Sequence, residues 1–330
     1  MEPYMPDKSI LVTGGCGFIG SHLVDHYLAE NKKVVCLDNM NDFYNPEIKR
    51  LNQLPHLSSD NYTFIEGDIR DKQIVSSLFK SHNIGKVIHL AAMAGVRPSV
   101  ENPRLYLDVN VMGTQVLLDV AKDHTVDHFV FASSSSVYGN NEKVPFSEDD
   151  RVDGQISPYG SSKRMGELLC QTYHHLTGLP ISCLRFFTVY GPRQRPEMAI
   201  HLFVRSILNG NGITVFGDGN SARDYTYIDD IIDGIIKVTE APNTFMIYNL
   251  GNSEPVKLID MVNVIGSATE KTPDITMSTM PVGDVVQTFA DISRSERRLG
   301  YSPQTNFNKG VEQFVDWFRT VIKSNGDLYA

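Results

Sequence analysis

Short apolar runs alternate with amphipathic stretches along the first half of the chain. The strand-like runs occupy 9–12, 34–37, 63–68, 86–92, 128–132 and 181–186. Between them, the stretches at 21–30 and 71–81 and the one around Tyr159 have the apolar spacing that is typical of helices. An alternation of strands and helices predicts an α/β fold, here a Rossmann-type doubly wound parallel sheet with helices on both faces.

The alternation ends near residue 187, and proline and glycine are frequent beyond it. We therefore predict two domains, a nucleotide-binding domain over 1–187 and a smaller α/β substrate domain over 188–330. One later piece, 224–228, has the alternating pattern of a strand. We expect it to bring 224–253 back towards the sheet.

A glycine-rich turn joins the first predicted strand to the first predicted helix. Gly14, Gly17 and Gly20 permit a tight turn, a close approach of the backbone to a phosphate, and close helix–strand packing. The free N–H groups at the helix start would face a pyrophosphate. Asp38 ends the second strand, where a carboxylate accepts hydrogen bonds from a ribose diol and repels a 2′-phosphate. This pattern predicts a dinucleotide site that prefers NAD to NADP.

A phenol and an ammonium lie on one face of a later helix. Tyr159 and Lys163 are four residues apart, and Ser134 ends the strand that precedes them. A lysine cation near a phenol favours the phenolate, which can accept a proton near neutral pH. The arrangement predicts redox chemistry on an alcohol.

Composition and charge narrow the class of protein. The 330 residues, 41% of them hydrophobic, can bury one large or two moderate cores. A net charge of −9 argues against nucleic-acid or membrane binding as the main role. The four cysteines form no CxxC pair, so we expect buried free thiols, and no metal site is predicted. No apolar stretch reaches the ~18 residues of a membrane span, and the first residues lack a signal-peptide layout, so we expect a cytoplasmic protein.

These motifs together resemble those of the extended short-chain dehydrogenase/reductase family, and within it the nucleotide-sugar epimerases. The matching segments are TGGCGFIG at 13–20, GDIRD at 67–71, HLAA at 89–92, SSSSVYG at 133–139, YGSSK at 159–163, RFFTVYGPRQRP at 185–196, FGDG at 216–219 and RDYTYIDD at 223–230. One of them, through TVYGPRQRP at 188–196, and the further segment AGVRPS at 94–99 are most similar to the UDP-glucuronate 4-epimerase group.

The resemblance implies catalytic and cofactor-binding positions. It places Ser134, Tyr159 and Lys163 at the catalytic positions, and implies that Asp68 and Ile69 bracket the adenine of NAD. The full set implied to bind NAD is Gly14, Gly17, Phe18, Ile19, Gly20, Asp38, Asn39, Lys49, Asp68, Ile69, Leu90, Ala91, Ala92, Asn110, Tyr159, Lys163 and Phe186.

The implied reaction is a 4-epimerisation that interconverts UDP-glucuronate and UDP-galacturonate. Tyr159 would take the proton of the sugar's 4-hydroxyl while Ser134 holds that oxygen and the hydride passes to NAD. The 4-keto sugar would turn over in the site and receive the hydride on its other face. Lys163 would lower the pKa of the phenol and hold the nicotinamide ribose.

Two serines bear on the choice of branch within the family. The resembling 4,6-dehydratases carry Asp-Glu, and the uronate decarboxylases Glu, just before Val-Tyr-Gly, whereas here Ser135 and Ser136 occupy those slots. A serine hydroxyl is no acid or base of comparable strength near pH 7. The sequence therefore disfavours elimination, and disfavours decarboxylation less firmly.

The same resemblance implies the substrate contacts. A bidentate arginine would hold the uronate carboxylate, and either Arg195 or Arg193 fits, with Arg195 preferred. The full implied set is Arg97, Ser134, Ser135, Ser136, Thr188, Arg193, Arg195, Val215, Phe216, Arg223 and Asp284. Thr188 stands where many relatives carry Asn, which leaves the contacts near the diphosphate open.

Several alternatives stay open at this point. One is a UDP-hexose 4-epimerase for neutral sugars, another is a UDP-uronate decarboxylase, and a third is a non-catalytic NAD-binding regulator. The third is disfavoured because such regulators usually lack the tyrosine or the lysine, and both are present. The family also implies a homodimer through the helix after Pro103 and the Tyr159 helix.

Overall fold

A computed structural model describes residues 8–241, 244–279 and 285–329 of the chain. The strands are β1 Ser9–Thr13, β2 Val34–Asp38, β3 Tyr62–Glu66, β4 Ile84–His89, β5 His128–Ser134, β6 Ile181–Phe186, β7 Thr188–Tyr190, β8 Ile213–Phe216, β9 Ala222–Tyr227, β10 Met246–Leu250, β11 Pro255–Lys257 and β12 Ile275–Ser278.

Helices connect these strands. They are α1 Phe18–Ala29, α2 Pro46–Gln53, α3 Lys72–Ser81, α4 Val96–Glu101, α5 Pro103–Tyr106, α6 Thr114–Ala121, α7 Pro158–Thr177, α8 Ala199–Leu208, α9 Ile228–Glu240, α10 Leu258–Thr269, α11 Ser293–Leu299 and α12 Phe307–Asn325. A π-helical stretch at Leu107–Gly113 joins α5 to α6, and 3₁₀ turns lie at Leu54–His56, Ser135–Tyr138 and Gly326–Tyr329.

The central feature is a parallel sheet with the order β10-β6-β5-β4-β1-β2-β3. Successive residues of a strand face opposite sides, so Ile10 and Val12 pack towards α1 and α9, whereas Leu11 packs towards α3, α6 and α7. Helices thus cover both faces, which confirms the predicted fold class. The chain reverses its direction of travel across the sheet between β1 and β4, the point where ligands bind in open α/β sheets.

The second half of the chain adds one strand to this sheet and forms two small sheets. β10 pairs with β6 as an edge strand of the main sheet. β7, β9 and β11 form a three-stranded sheet, and β8 pairs with β12. The division of the chain at residue 187 stays a prediction.

The polar segment after β2 contains a helix that its weak periodicity concealed. Asn45 caps α2 by accepting a hydrogen bond from the Glu47 N–H, and Pro46 stands at the first helical position. Ile48 is buried against the main core, and Leu51 packs beside it. We call residues 39–56 the cover segment, since they run from the end of β2 across α1.

A buried ion pair connects α7 to the two strands beside it. Arg185 on β6 donates two hydrogen bonds of 2.9 Å to the Glu167 carboxylate on α7, and Ser133 on β5 donates a third at 2.6 Å. Burial alone would raise the pKa of Glu167, but the hydrogen bonds and charge of Arg185, together with hydrogen bonds from Ser133 and Arg164, outweigh it and the pKa is lowered. The Arg185 guanidinium carbon also lies 4.8 Å from the ring centre of Tyr138.

We predict that Glu167→Ala lowers the free energy of unfolding by about 3–5 kcal/mol, because it leaves the Arg185 charge buried and unpaired. Since the pKa of Glu167 is lowered, its contribution is present above the ordinary carboxyl pKa and is lost as the pH falls through the lowered value. Urea unfolding at neutral pH and at pH 4 measures both effects.

A double variant and a surface pair serve as controls. Glu167→Leu combined with Arg185→Met should lose less stability than Glu167→Ala, because no charge then stays buried. The exposed Glu47–Arg50 pair should contribute under about 1 kcal/mol, measured as Glu47→Gln. Equal losses for Glu167→Ala and Glu47→Gln would contradict the prediction.

Candidate active site

A cavity of about 370 Å³ opens along the carboxyl ends of the central strands. Its walls come from the glycine-rich turn after β1, the ends of β2, β4, β5 and β6, the cover segment and the start of α7. Of the positions implied to bind NAD, the lining includes Gly14, Gly17, Phe18, Ile19, Gly20, Asp38, Asn39, Lys49, Asp68, Ile69, Leu90, Ala91, Ala92, Tyr159, Lys163 and Phe186. The fold thus brings together residues that are far apart in sequence.

The glycine-rich turn has no room for side chains. Gly14 has a φ of +70°, and a Cβ there would lie 2.8 Å from the Ala91 nitrogen. A Cβ on Gly20 would lie 2.2 Å from the Gly14 oxygen, so α1 packs directly on the turn. Backbone at the N-terminal end of a helix therefore faces the cavity, which fits the pyrophosphate of a dinucleotide.

Asp38 is held at the end of β2 by backbone donors. Its two carboxylate oxygens accept hydrogen bonds from the Cys16 N–H at 3.1 Å and the Met40 N–H at 3.0 Å. The Lys49 ammonium is 4.0 Å away and donates to Asn41. Burial lowers the pKa of Lys49, and Asp38 counters that effect. A fixed, negatively charged acceptor at the cavity wall fits a ribose diol.

Asp68 marks the far end of the same wall. Arg70 binds its carboxylate with two hydrogen bonds, at 2.9 and 2.8 Å, and Asn39 donates a third. The hydrogen bonds from Arg70 lower the pKa of Asp68 to about 2. Asp68 is therefore ionised, and with Ile69 beside it the wall offers one polar and one apolar contact for a base.

Tyr159 and Lys163 lie on the first turns of α7, which begins where Ser157 accepts a hydrogen bond from the Gly160 N–H. The Lys163 ammonium donates to the Ala132 carbonyl oxygen at 2.7 Å and is 6.0 Å from the Tyr159 ring centre. Burial lowers the pKa of Lys163 to about 8. Both side chains line the cavity beside Ser134.

The pKa of Tyr159 differs from the prediction. Burial raises it above its ordinary value, a hydrogen bond with Ser134 and the charge of Arg195 partly offset that rise, and Lys163 does not contribute. The predicted lowering by Lys163 is therefore wrong for this state, since that ammonium is turned to the Ala132 carbonyl. The cation that favours the phenolate is Arg195.

The serines that follow β5 present hydroxyls to the cavity. The Ser134 Oγ accepts from the Ser136 N–H at 3.2 Å and lies 3.2 Å from the Ser136 Oγ, which fixes the 3₁₀ turn. Ser135 and Ser136 also line the cavity. Among the described lining residues, the carboxylates are Asp38 and Asp68, and both belong to the opposite wall.

The two candidate arginines point in different directions. Arg195 lines the cavity, with its guanidinium carbon 5.8 Å from the Phe43 ring centre and its Nε bonded to Glu197 at 3.1 Å. Arg193 instead donates to Asp25 on α1 at 2.6 Å and is absent from the cavity lining in the described part of the chain. We call residues 191–198, which carry both side chains, the arginine loop.

A smaller pocket continues the cavity beyond Ser136. It shares Val96, Ser135, Ser136 and Thr188 with the main cavity and adds Arg223, whose guanidinium donates to the Ala222 and Val286 carbonyl oxygens. The Arg97 guanidinium carbon lies 4.9 Å from the Phe216 ring centre, and Val215 is buried beside them in β8. Asp284, predicted for the nucleotide ribose, lies outside the described residues.

Asn110 does not reach the cavity in the described structure. Its side chain bonds the Met93 N–H, the Met93 carbonyl and Ser162, so it braces the loop after β4 against α7. It lies in the π-helical stretch, a kind of element that often occurs at functional sites. Its contact with NAD stays a prediction.

Sequence reasoning missed several lining residues, among them Phe43, Tyr44, Phe187, Val189 and Met198. The aromatic pair in an otherwise polar cover segment was the available signal for two of them. Glu167 was also missed, although it shares a helix face with Lys163.

Three further features characterise the described residues. All four cysteines are free and buried, as predicted. No group of three His, Cys, Asp or Glu side chains is arranged as metal ligands within the described ranges. No described helix has both the length and the apolar character to cross a membrane.

Comparison with known proteins gives a consistent picture. The family described as GDP-mannose 4,6 dehydratase matches residues 11–314. UDP-glucuronate 4-epimerase of Thermodesulfobacterium geofontis is 42% identical over 95% of this chain and 97% of its own.

Two solved structures have the same fold. UDP-glucuronic acid 4-epimerase from Bacillus cereus, in complex with UDP-glucuronic acid and NAD, superposes with a TM-score of 0.90 at 37% identity, covering 95% of this chain and 99% of its own. UDP-glucose 4-epimerase of Thermotoga maritima has a TM-score of 0.88 at 30% identity, over 95% and 99% of the two chains.

We predict that NAD binds at least tenfold more tightly than NADP, because the Asp38 carboxylate would face the 2′-phosphate. Calorimetry on cofactor-stripped protein measures the two dissociation constants. Asp38→Asn should reduce the ratio of the NADP dissociation constant to that of NAD, while the control Asp68→Asn should leave this ratio unchanged. Equal affinities in the wild type would remove Asp38 from the cofactor site.

Proposed function

The chain belongs to the extended short-chain dehydrogenase/reductase family, in its nucleotide-sugar branch, and we propose that it is a UDP-glucuronate 4-epimerase. It is an isomerase of the UDP-sugar 4-epimerase type and uses NAD. The finer proposal is that it interconverts UDP-glucuronate and UDP-galacturonate through a transient 4-keto sugar. It is supported by the relative from T. geofontis and the B. cereus structure.

The single observation that carries the proposal is the position of Arg195. Its guanidinium lies in the wall of the cavity that also contains Tyr159 and Ser134, and acts on the charge state of Tyr159. The Glu197 carboxylate lies 3.1 Å from the Nε of Arg195, and a guanidinium has further N–H donors with which it would bind a second carboxylate. A neutral sugar has no charge at carbon 6 to match this cation.

The hydroxyl side chains next to Tyr159 fit epimerisation better than its rivals. Oxidation of a uronic acid at carbon 4 gives a β-keto acid, which loses CO2 when the breaking carbon–carbon bond stands perpendicular to the carbonyl plane. Elimination or assisted decarboxylation would require an acid at the serine positions, and Ser135 and Ser136 offer none. Arg195 together with these hydroxyls would keep the carboxylate out of the perpendicular geometry.

Different residues of this chain would transfer the proton, hold the cofactor and bind the diphosphate. NAD, when bound along the cavity wall, would supply the hydride acceptor. Tyr159 would take and return the proton of the 4-hydroxyl, with Ser134 bonded to the same oxygen. Lys163, anchored on the Ala132 carbonyl, would hold the nicotinamide ribose. Arg223, in the adjoining pocket, would bind the diphosphate.

The competing candidate is a 4-epimerase of neutral UDP-hexoses. It is favoured by the fold shared with the T. maritima UDP-glucose 4-epimerase. Incubation with UDP-glucuronate, UDP-glucose and UDP-N-acetylglucosamine, followed by identification of the products, separates the two candidates.

We predict that Tyr159→Phe lowers the epimerisation rate roughly 10²–10⁴-fold, the usual contribution of a positioned general base. NAD affinity should stay within a few-fold, because the ring is kept. Product formation is followed by chromatography, and dinucleotide content is measured on the same protein. A rate within tenfold of the wild type would show that Tyr159 is not the base.

A second prediction concerns the carboxylate. Arg195→Ala should cost about 2–4 kcal/mol, or roughly 30- to 1000-fold in kcat/KM for UDP-glucuronate, the loss expected for a charged hydrogen bond. Any activity on UDP-glucose should fall less, because that sugar has no carboxylate and loses only the effect of Arg195 on the pKa of Tyr159. Released CO2 and pentose product are measured too, since a freed carboxylate can reach the perpendicular geometry.

Arg193→Ala is the matched control, and its effect should be the smaller of the two. If UDP-glucuronate turnover is intact in Arg195→Ala and collapses in Arg193→Ala, the clamp is Arg193. If neither variant changes it, the uronate proposal loses its support and a neutral UDP-hexose becomes the substrate to test.

A further inference from the structure

We infer that Asp25 is a positioning residue that holds two walls of the active-site cavity through its two carboxylate oxygens. It lies on α1, outside the cavity, and none of the sequence motifs includes it. One wall is the cover segment and the other is the arginine loop. The second half of this inference rests on the proposed function of Arg195.

The first oxygen of Asp25 holds the cover segment. The His56 Nε2 donates to the Asp25 Oδ1 at 2.5 Å, from the 3₁₀ turn that ends this segment. His56 is buried, with its ring centre 5.3 Å from that of Tyr62. The same segment supplies Phe43 and Lys49 to the cavity lining. The hydrogen bond at His56 therefore helps to position the residues of this segment that would cover NAD.

The second oxygen holds the arginine loop. Arg193 Nη1 donates to the Asp25 Oδ2 at 2.6 Å, and the loop carries Arg195 and Met198 into the cavity wall. His22, one turn before Asp25 on α1, donates its Nε2–H to the Pro192 carbonyl oxygen at 2.9 Å. Two side chains of one helix face thus fix the outer side of the loop.

The backbone of the loop gives an independent sign of this constraint. Arg193 has a φ of +64°, in the left-handed region that a residue with a side chain rarely adopts. Such strain persists only where the surroundings over-determine the conformation, and it concentrates at functional sites. The ion pair with Asp25 and the turn closed by the Gln194 N–H on the Gly191 carbonyl provide that support.

The two walls also meet each other inside the cavity. The Arg195 guanidinium carbon lies 5.8 Å from the ring centre of Phe43, which belongs to the cover segment. Asp25 therefore closes a ring of contacts, from α1 through the cover segment to Arg195 and back through Arg193. A single carboxylate would set both the retention of NAD and the placement of the arginine that meets the sugar.

The test uses the purified holoenzyme and measures the NAD dissociation rate and the Michaelis constant for UDP-glucuronate. Asp25→Ala should raise both about tenfold, the order expected for losing charge-assisted hydrogen bonds, while kcat stays within about threefold. His56→Phe keeps the ring packing on Tyr62 and should speed NAD release alone. Arg193→Met keeps the side-chain stem and should raise the Michaelis constant alone.

Two further variants separate positioning from general stability. Glu30→Ala breaks the half-exposed His26–Glu30 pair at the end of the same helix and should change neither the NAD dissociation rate nor the Michaelis constant. In the Asp25→Ala background, His56→Phe should add nothing to the NAD release rate, because the bond is already lost. Asp25→Asn keeps the size of the side chain. It should speed NAD release, raise the Michaelis constant, or do both.

The outcomes are distinct. Asp25→Ala and Asp25→Asn both within twofold of the wild type in NAD release and Michaelis constant would overturn the inference. Equal changes in Glu30→Ala would also overturn it. So would a fall in kcat as large as the changes in the NAD dissociation rate and the Michaelis constant. If the wild type does not act on UDP-glucuronate, the proposed function fails by itself. The NAD measurement then still tests Asp25, and the Michaelis constant is measured with the UDP-sugar that the wild type converts.

Discussion

The structure of the site depends on the Glu167 carboxylate, which is buried between α7, β5 and β6. Helix α7 carries Tyr159 and Lys163, β5 ends at Ser134, and β6 leads to Phe186 in the cavity wall. Three elements that each supply one part of the chemistry are thus joined at a single side chain. The lowered pKa of Glu167 favours its charged form at neutral pH. The relative positions of base, hydroxyl and cofactor wall follow from it.

Local sequence was sufficient to predict a feature wherever a single segment determines both its conformation and its chemistry. The glycine-rich turn and the pair of Tyr159 and Lys163 are of this kind, and the α/β fold and the family were predicted correctly from such segments. Local sequence was insufficient to predict contacts between segments that are distant in the chain. The pairing of Glu167 with Arg185 and of Asp25 with Arg193 depends on the fold, and the helix of the cover segment depends on burial of Ile48.

The charge state of the site illustrates the same limit. The spacing of Tyr159 and Lys163 shows that they share a helix face, but not which way the ammonium turns. In the fold, Lys163 satisfies the Ala132 carbonyl, and the cation that acts on the phenol comes from the arginine loop. The lining thus combines the carboxylates of Asp38 and Asp68 with the cations of Lys49, Lys163 and Arg195.

The 3₁₀ turn at Ser135–Tyr138 has a consequence for how such enzymes diverge. Its backbone is supported by the Ser134 hydroxyl, which accepts a hydrogen bond from the Ser136 N–H, and the side chains of Ser135 and Ser136 line the cavity. New functional groups can therefore be exchanged at these two positions while the scaffold stays as it is. A point substitution at either position can therefore change the reaction. It would affect the selectivity among reactions of the oxidised sugar more than the stability of the fold.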